Sequence, residues 1–289
     1  MNLHCGQFTL DLSSPRVMGI LNVTPDSFSD GGSYLQTDLA FAQANKLIEE
    51  GADILDVGGE STRPNAQPVS LQEEVDRVIP VIESLVSKVN IPISIDTYKP
   101  AVMRAAIAAG ASIVNDVKAL QEAGAIEAVA GAEVGVCLMH MQGGPQNMQD
   151  DPHYDDVVKN VVTFLLERAA ICEQEGIQKN RLLIDPGFGF GKTRAHNITL
   201  IQQLNTLVMT GYPVLVGLSR KSVLGEMTGN DIDARLYASV SAAVVSAING
   251  AKILRVHDVK ATVEALKVVA AILPKDDSVI GANNSLVVK

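Results

Sequence analysis

Short runs of consecutive apolar residues alternate along this chain with longer segments in which apolar positions recur every three or four residues. The first run starts at Val17, turns polar at Asn22 and stays polar through Asp26, Ser27, Ser29 and Asp30 to a Gly31-Gly32 turn. It predicts a strand buried on both faces, followed by a loop that carries two carboxylates. A helix follows over 38–50, with Thr37 or Asp38 as cap and Gly51 as terminator. The same grammar then recurs. Apolar runs at 53–57, 91–95, 112–114, 135–139, 181–184, 213–218 and 252–254 predict seven further strands. Helical periodicity predicts helices over 70–89, 100–109, 124–130, 155–175, 198–208 and 258–272. Ser70 and Glu73 have the spacing of a capping box, Pro80 predicts a kink, and Pro100 suits a first helical turn.

Strand-helix units in unbroken succession, with strands apolar on both faces, are the pattern of a single-domain α/β chain, a parallel (β/α)8 TIM barrel. A doubly wound open sheet accommodates eight units less well. A short N-terminal capping strand or hairpin is expected ahead of the barrel, with a strand over 7–12. The barrel is expected over 1–274 and a loosely ordered C-terminal tail over 275–289.

Composition narrows the partners. The chain has 289 residues, 47% of them hydrophobic, and a formal net charge of −10. It can bury a large core, and its acidity argues against nucleic acid as a partner, which is held mostly through clustered Lys and Arg. No run approaches the length of a membrane span and the first residues lack a secretory pattern, so a soluble cytoplasmic protein with no membrane association is expected. Cys5, Cys137 and Cys172 share no metal-type spacing and read as reduced, structural thiols.

Barrel closure gives the strand ends their meaning, because such barrels gather their chemistry at the carboxyl ends of the strands. Those ends carry Asn22, Thr62, Asp96, Asn115, Asp185, Lys221, Arg255 and His257. Asp96 and Asp185 with Asn115 and Lys221 suit a fused heteroaromatic ring bearing an amino group beside a ring N–H, since the carboxylate accepts both hydrogens. Arg255 and His257, two apart on one strand, face the same way and with Asn22 have the makings of an anion site. A magnesium ion held mainly by diphosphate oxygens and water needs one or two protein oxygens, and Asn22 supplies one. The run 186–193 lacks the first glycine of a nucleotide P-loop and reads as a tight turn that lets Phe190 approach a flat ligand.

The segments GILNVTPDSFSDGG, DVGGESTRP, SIDTYKP, NDV, DPGFGFGK, GLSRKS and RVHDV, in this order, resemble the dihydropteroate synthase family of the bacterial folate pathway. The resemblance implies condensation of 6-hydroxymethyl-7,8-dihydropterin diphosphate with p-aminobenzoate, with Mg2+, in a homodimer that sulfonamides inhibit. It implies a pterin site of Asp96, Asn115, Met139, Asp185, Gly217 and Lys221, and a diphosphate site of Asn22, Arg63, Arg255 and His257, with Asn22 the metal ligand. It also implies an aminobenzoate site of Phe28, Thr62, Pro64, Phe190, Gly217, Lys221 and Ser222. Tyr98 and Asn65 depart from the residues usual in the family.

The expected chemistry is ionisation of the diphosphate followed by capture by the amine. Arg255 and His257 would stabilise the departing charge, and Asp30, Asp96, Asp185 and Lys221 complete the catalytic set. The loops 22–32 and 59–70 are expected to close over the site, giving ordered binding. Two other readings are a folate-binding methyltransferase-like barrel, which leaves the anion residues unexplained, and a non-catalytic pterin-binding protein, which would have shed them.

Overall fold

The computed structural model describes residues 1–23, 33–61, 66–144 and 147–273. Eight parallel strands form the central sheet. They are β3 (Arg16–Asn22), β4 (Ile54–Gly58), β5 (Ile93–Asp96), β6 (Ile113–Asp116), β7 (Gly135–Met139), β8 (Leu182–Asp185), β9 (Leu215–Val216) and β10 (Ile253–Val256). Their spatial order is β8-β7-β6-β5-β4-β3-β10-β9, and a parallel bridge between Ile184 and Val214 joins the two ends. The sheet closes into the expected barrel, with its helices between successive strands.

Two further strands, β1 (Asn2–Cys5) and β2 (Phe8–Asp11), pair antiparallel as an N-terminal hairpin. Leu3 and Cys5 of the hairpin and Leu12 beyond it pack on Met18, Ile54, Ile113, Cys137, Leu183, Leu215 and Ile253, all with no exposed surface. These seven barrel residues form one inward layer, so the hairpin seals the amino-terminal end of the barrel. Two residues further along each strand the period-2 alternation returns to the interior. The next layer is therefore Ile20, Asp56, Asn115, Met139, Asp185, Gly217 and Arg255, with Asp96 following Ser94 on β5.

The helices differ from expectation at several ends. α1 (Ser33–Glu49) begins before the expected Thr37 or Asp38 cap. In α2 (Leu71–Val86) Ser70 accepts the Glu73 N–H, but the capping box is half made, since Glu73 pairs with Arg77 instead. α2 runs without a break through Pro80. α3 (Pro100–Ala108), α4 (Ala125–Ala130), α5 (Val157–Gln174) and α10 (Val259–Ile272) lie where the periodicity put them. The helix expected at 198–208 is two, α6 (Arg194–Gln202) and α7 (Leu204–Val208). Thr193 and His196 cap α6 reciprocally, which starts it a turn early. The seventh strand is followed by α8 (Ser222–Thr228) and α9 (Leu236–Ile248). The expected tail lies outside the described residues.

Candidate active site at the carboxyl end of the barrel

Above the apolar layer the barrel interior becomes charged. Asp56 is fully buried on β4, and its Oδ2 accepts from Nε of Arg255 at 2.6 Å and from Nδ2 of Asn115 at 3.3 Å. Nη2 of Arg255 donates to Oδ2 of Asp96 at 2.6 Å. Three strands that lie apart in sequence are thus tied by one guanidinium. The Asp56 and Asp96 carboxylates outweigh burial and hold Arg255 firmly charged, with its pKa raised. Burial pushes Asp96 up to about 7, with Arg255 opposing and Asp56 adding to the rise. Oδ1 of Asp56 and Oδ1 of Asp96 are buried with no hydrogen-bond partner among the described residues. Buried acceptors left open in this way suit a ligand that brings N–H donors.

Asp185 ends β8, accepts the Gly187 N–H at 2.7 Å, and has its pKa raised by burial against the pull of Lys221. Met139 is buried at the end of β7. Gly217 leaves room beside Arg255, whose Cβ and Cδ would each lie 3.8 Å from a Cβ placed there. Lys221 donates to the Phe188 carbonyl, and its ammonium stands 4.5 Å from the centroid of the Phe190 ring. Burial lowers Lys221 to about 8, with Asp185 opposing. Phe190 is half-buried and Ser222 exposed, so this side of the mouth faces outward.

Asn22 and Asp96 flank Gly58, where an added Cβ would lie 3.8 Å from Oδ1 of Asn22 and 3.9 Å from Oδ2 of Asp96. His257 lies two residues beyond Arg255, its Nδ1 paired with Oγ of Ser219 at 3.0 Å. Arg220 holds that loop. It adopts φ 59°, unusual for a residue other than glycine, and its guanidinium grips Asp258 through both carboxylate oxygens. Asp30, Phe28, Thr62, Arg63 and Pro64 lie outside the described residues.

Two residues belong to this region without having been singled out from the sequence. Asp56 sits inside the DVGG run and looked like strand interior, yet its parity with Ile54 places it among the inward carboxylates. Lys192 ends the glycine-rich run, and its ammonium reaches Nδ1 of His140 and the carbonyls of Gly187 and Phe190, each at 3.0 Å. Tyr98, one of the family departures, donates to Oε1 of Glu60 at 3.2 Å and lies under the Lys118 ammonium.

No group of three or more His, Cys, Asp or Glu among the described residues is arranged to hold a metal ion. The donor set at Asn22 is one neutral oxygen at the rim of a carboxylate-lined mouth. That fits a metal carried in on phosphate oxygens and does not fit a resident, fully caged ion.

The family described as pterin binding enzyme matches residues 18–257. The chain is 52% identical over 273 residues to dihydropteroate synthase of Escherichia coli (strain K12), covering 94% of this chain and 97% of that one. It superposes with a TM-score of 0.89 on Xanthomonas albilineans dihydropteroate synthase with 4-aminobenzoic acid, at 55% identity over 94% of this chain and 99% of that one. The Yersinia pestis dihydropteroate synthase with a sulfonamide drug gives the same TM-score at 50% identity, over 94% and 98% of the two chains. With relatives this similar over nearly the whole length, the chain belongs to the dihydropteroate synthase family.

Proposed function

We propose that this barrel condenses 6-hydroxymethyl-7,8-dihydropterin diphosphate with p-aminobenzoate by ionisation first and capture second. The observation that carries the reading is the inward layer of Asp56, Asp96, Asn115 and Asp185 around Arg255, at the mouth of a barrel of this family. The open acceptors of Asp56 and Asp96 and the carboxylate of Asp185 match the amino and ring N–H donors of a pterin, and Lys221 and Asn115 supply donors for its carbonyl and ring nitrogens. Met139 and Gly217 shape the space in which the ring lies flat.

The C–O bond to diphosphate breaks with its electron pair going to the leaving oxygen. The ring nitrogens and the carboxylates of Asp96 and Asp185, joined by Asp30, stabilise the cation that remains. The lone pair of the aryl amine then forms the C–N bond, and the ammonium proton passes to diphosphate or water. Asn22, Arg63, Arg255 and His257 receive the diphosphate. Phe28, Thr62, Pro64, Phe190, Gly217, Lys221 and Ser222 hold the aminobenzoate, and a sulfonamide competes there. Asn22 would hold Mg2+ together with the diphosphate oxygens; when bound, the ion neutralises charge on the departing group.

A homodimer and a cytoplasmic location complete the proposal. Tyr237, Val245 and Ile248 of α9 and Val268 and Ile272 of α10 are exposed on helices that pack on each other, and a second copy would cover them. The three cysteines are buried and unpaired, in keeping with a reducing compartment. No described helix is long and apolar enough to cross a membrane.

The test is diphosphate release from the pterin diphosphate and magnesium, with and without p-aminobenzoate, with dihydropteroate followed in parallel. Equal amounts of both products, formed when aminobenzoate is present, are expected. Pterin binding without any diphosphate release would favour the non-catalytic alternative.

A further inference from the structure

Lys192 is 3% exposed. Its ammonium meets four neutral acceptors. Nδ1 of His140, the Gly187 carbonyl and the Phe190 carbonyl are each at 3.0 Å, and the His140 carbonyl is at 3.3 Å. In the ammonium form three N–H groups match the three nearest acceptors, which makes Nδ1 an acceptor and puts the His140 proton on Nε2. Burial, reinforced by Lys192, lowers His140 to about 3, so the ring stays neutral as that assignment requires.

Two of these acceptors come from a turn that meets its own needs only in part, the Phe190 N–H donating to the Gly187 carbonyl at 3.1 Å, and the other two belong to His140 just beyond β7. Gly187, Gly189 and Gly191 have φ of 66°, 77° and 63°, and the peptides between them join neither a helix nor a ladder. An added Cβ would lie 1.9 Å from the His140 carbonyl oxygen at Gly187 and 2.4 Å from the Gln142 carbonyl oxygen at Gly191, so the turn is pressed against the end of β7. Burying an ammonium on neutral partners carries a desolvation cost that an apolar side chain would avoid. What the ammonium achieves there is to collect carbonyls from both sides of the turn at one point. One of them belongs to Phe190, whose ring faces Lys221.

We propose that Lys192 is a positioning residue, whose ammonium holds the glycine turn against β7 and thereby sets the Phe190 ring as the platform for the aminobenzoate. The inference rests on the reading that Phe190 contacts that substrate. Lys192 itself touches neither substrate and takes no part in bond making.

Steady-state kinetics on the full chain test it, using Lys192→Met, Phe190→Ala and the double variant, each checked for folding by its thermal midpoint. Lys192→Met is expected to raise KM for p-aminobenzoate about tenfold while KM for the pterin diphosphate moves less than about threefold. The double variant is expected to be no worse than Phe190→Ala alone, because one contact cannot be lost twice. Should Lys192→Met fail to fold, Lys192→Gln, which retains a donor, is expected to show a smaller rise in the same KM. Losses that add in the double variant, equal effects on both substrates, or an unchanged aminobenzoate KM in the folded Lys192 variant overturn the proposal. An unchanged aminobenzoate KM in Phe190→Ala overturns the platform reading, and this inference with it.

Discussion

Nε of Arg255 donates to Oδ2 of Asp56 at 2.6 Å across 199 positions of sequence, and the same guanidinium reaches Asp96. One cation thus balances two of the acids that barrel closure crowds together. Arg255→Met leaves both without their partner and is expected to cost about 3 to 5 kcal/mol of stability, since an uncompensated buried charge is more damaging than a missing pair. Urea unfolding reads the loss, and Asp56→Asn in the same background should recover part of it. An unchanged midpoint would show that the pair does not hold the mouth together.

Stability should depend on pH in opposite senses on the two sides of neutrality. Asp96 titrates at about 7 when folded, against an ordinary 3.8, so the folded chain binds that proton more tightly and stability falls as pH rises from about 4 to about 7. Asp116, raised by burial to about 6, acts in the same direction. Lys192 is lowered by burial from 10.5 to about 7, so the unfolded chain holds that proton more tightly and stability climbs from about pH 7 towards 10.5. Thermal melts of Asp96→Asn should lose much of the acid-side fall and keep the alkaline rise.

Asp185→Asn should weaken a pterin analogue by roughly 10- to 100-fold, the scale of a hydrogen bond to a buried charged group. Diphosphate binding should change little. Calorimetry with each ligand separates the two, and an unaltered pterin affinity would mean the ring lies elsewhere.

Asn22→Ala removes the oxygen proposed for the metal. The magnesium concentration that half-saturates diphosphate binding should rise roughly tenfold, because an ion with one or two protein ligands depends on each. Identical metal dependence in the variant would take Asn22 out of the site.

Gly187→Ala should unfold the glycine turn. The residue sits at φ 66°, and its new methyl would lie 1.9 Å from the His140 carbonyl oxygen just beyond β7. A loss of about 3 kcal/mol or more is expected from strain and displacement together. A thermal midpoint equal to the parent's would show that β7 yields at little cost.

The strand ends carried most of what could be read in advance. Asp185, Asn115 and Arg255 each follow an apolar run, and parallel closure leaves such residues one destination. Asp56 was harder because it lies one turn of the alternation earlier; counting by twos from Ile54 exposes it, whereas polarity at the strand end does not. β9 shrank to two residues between Pro213 and Gly217, where apolar character suggested six. Nothing local announces the left-handed backbone of Arg220. It is imposed by Asp258, by the Ser239 hydroxyl on its N–H and by Arg235 on its carbonyl. The half-made capping box failed similarly, because Arg77 competed for Glu73 one turn away.

The hairpin at the start of the chain has a consequence for traffic. With Leu3, Cys5 and Leu12 stoppering the far end, the proposed reading has the substrates of Asp96 and Asp185 come and go through the opposite end, past Phe190 and Ser222. Reactants and products share that passage. On that reading a molecule lodged at the threshold would imprison the one behind it, and turnover would be a matter of queueing, with the innermost occupant first to arrive and last to depart.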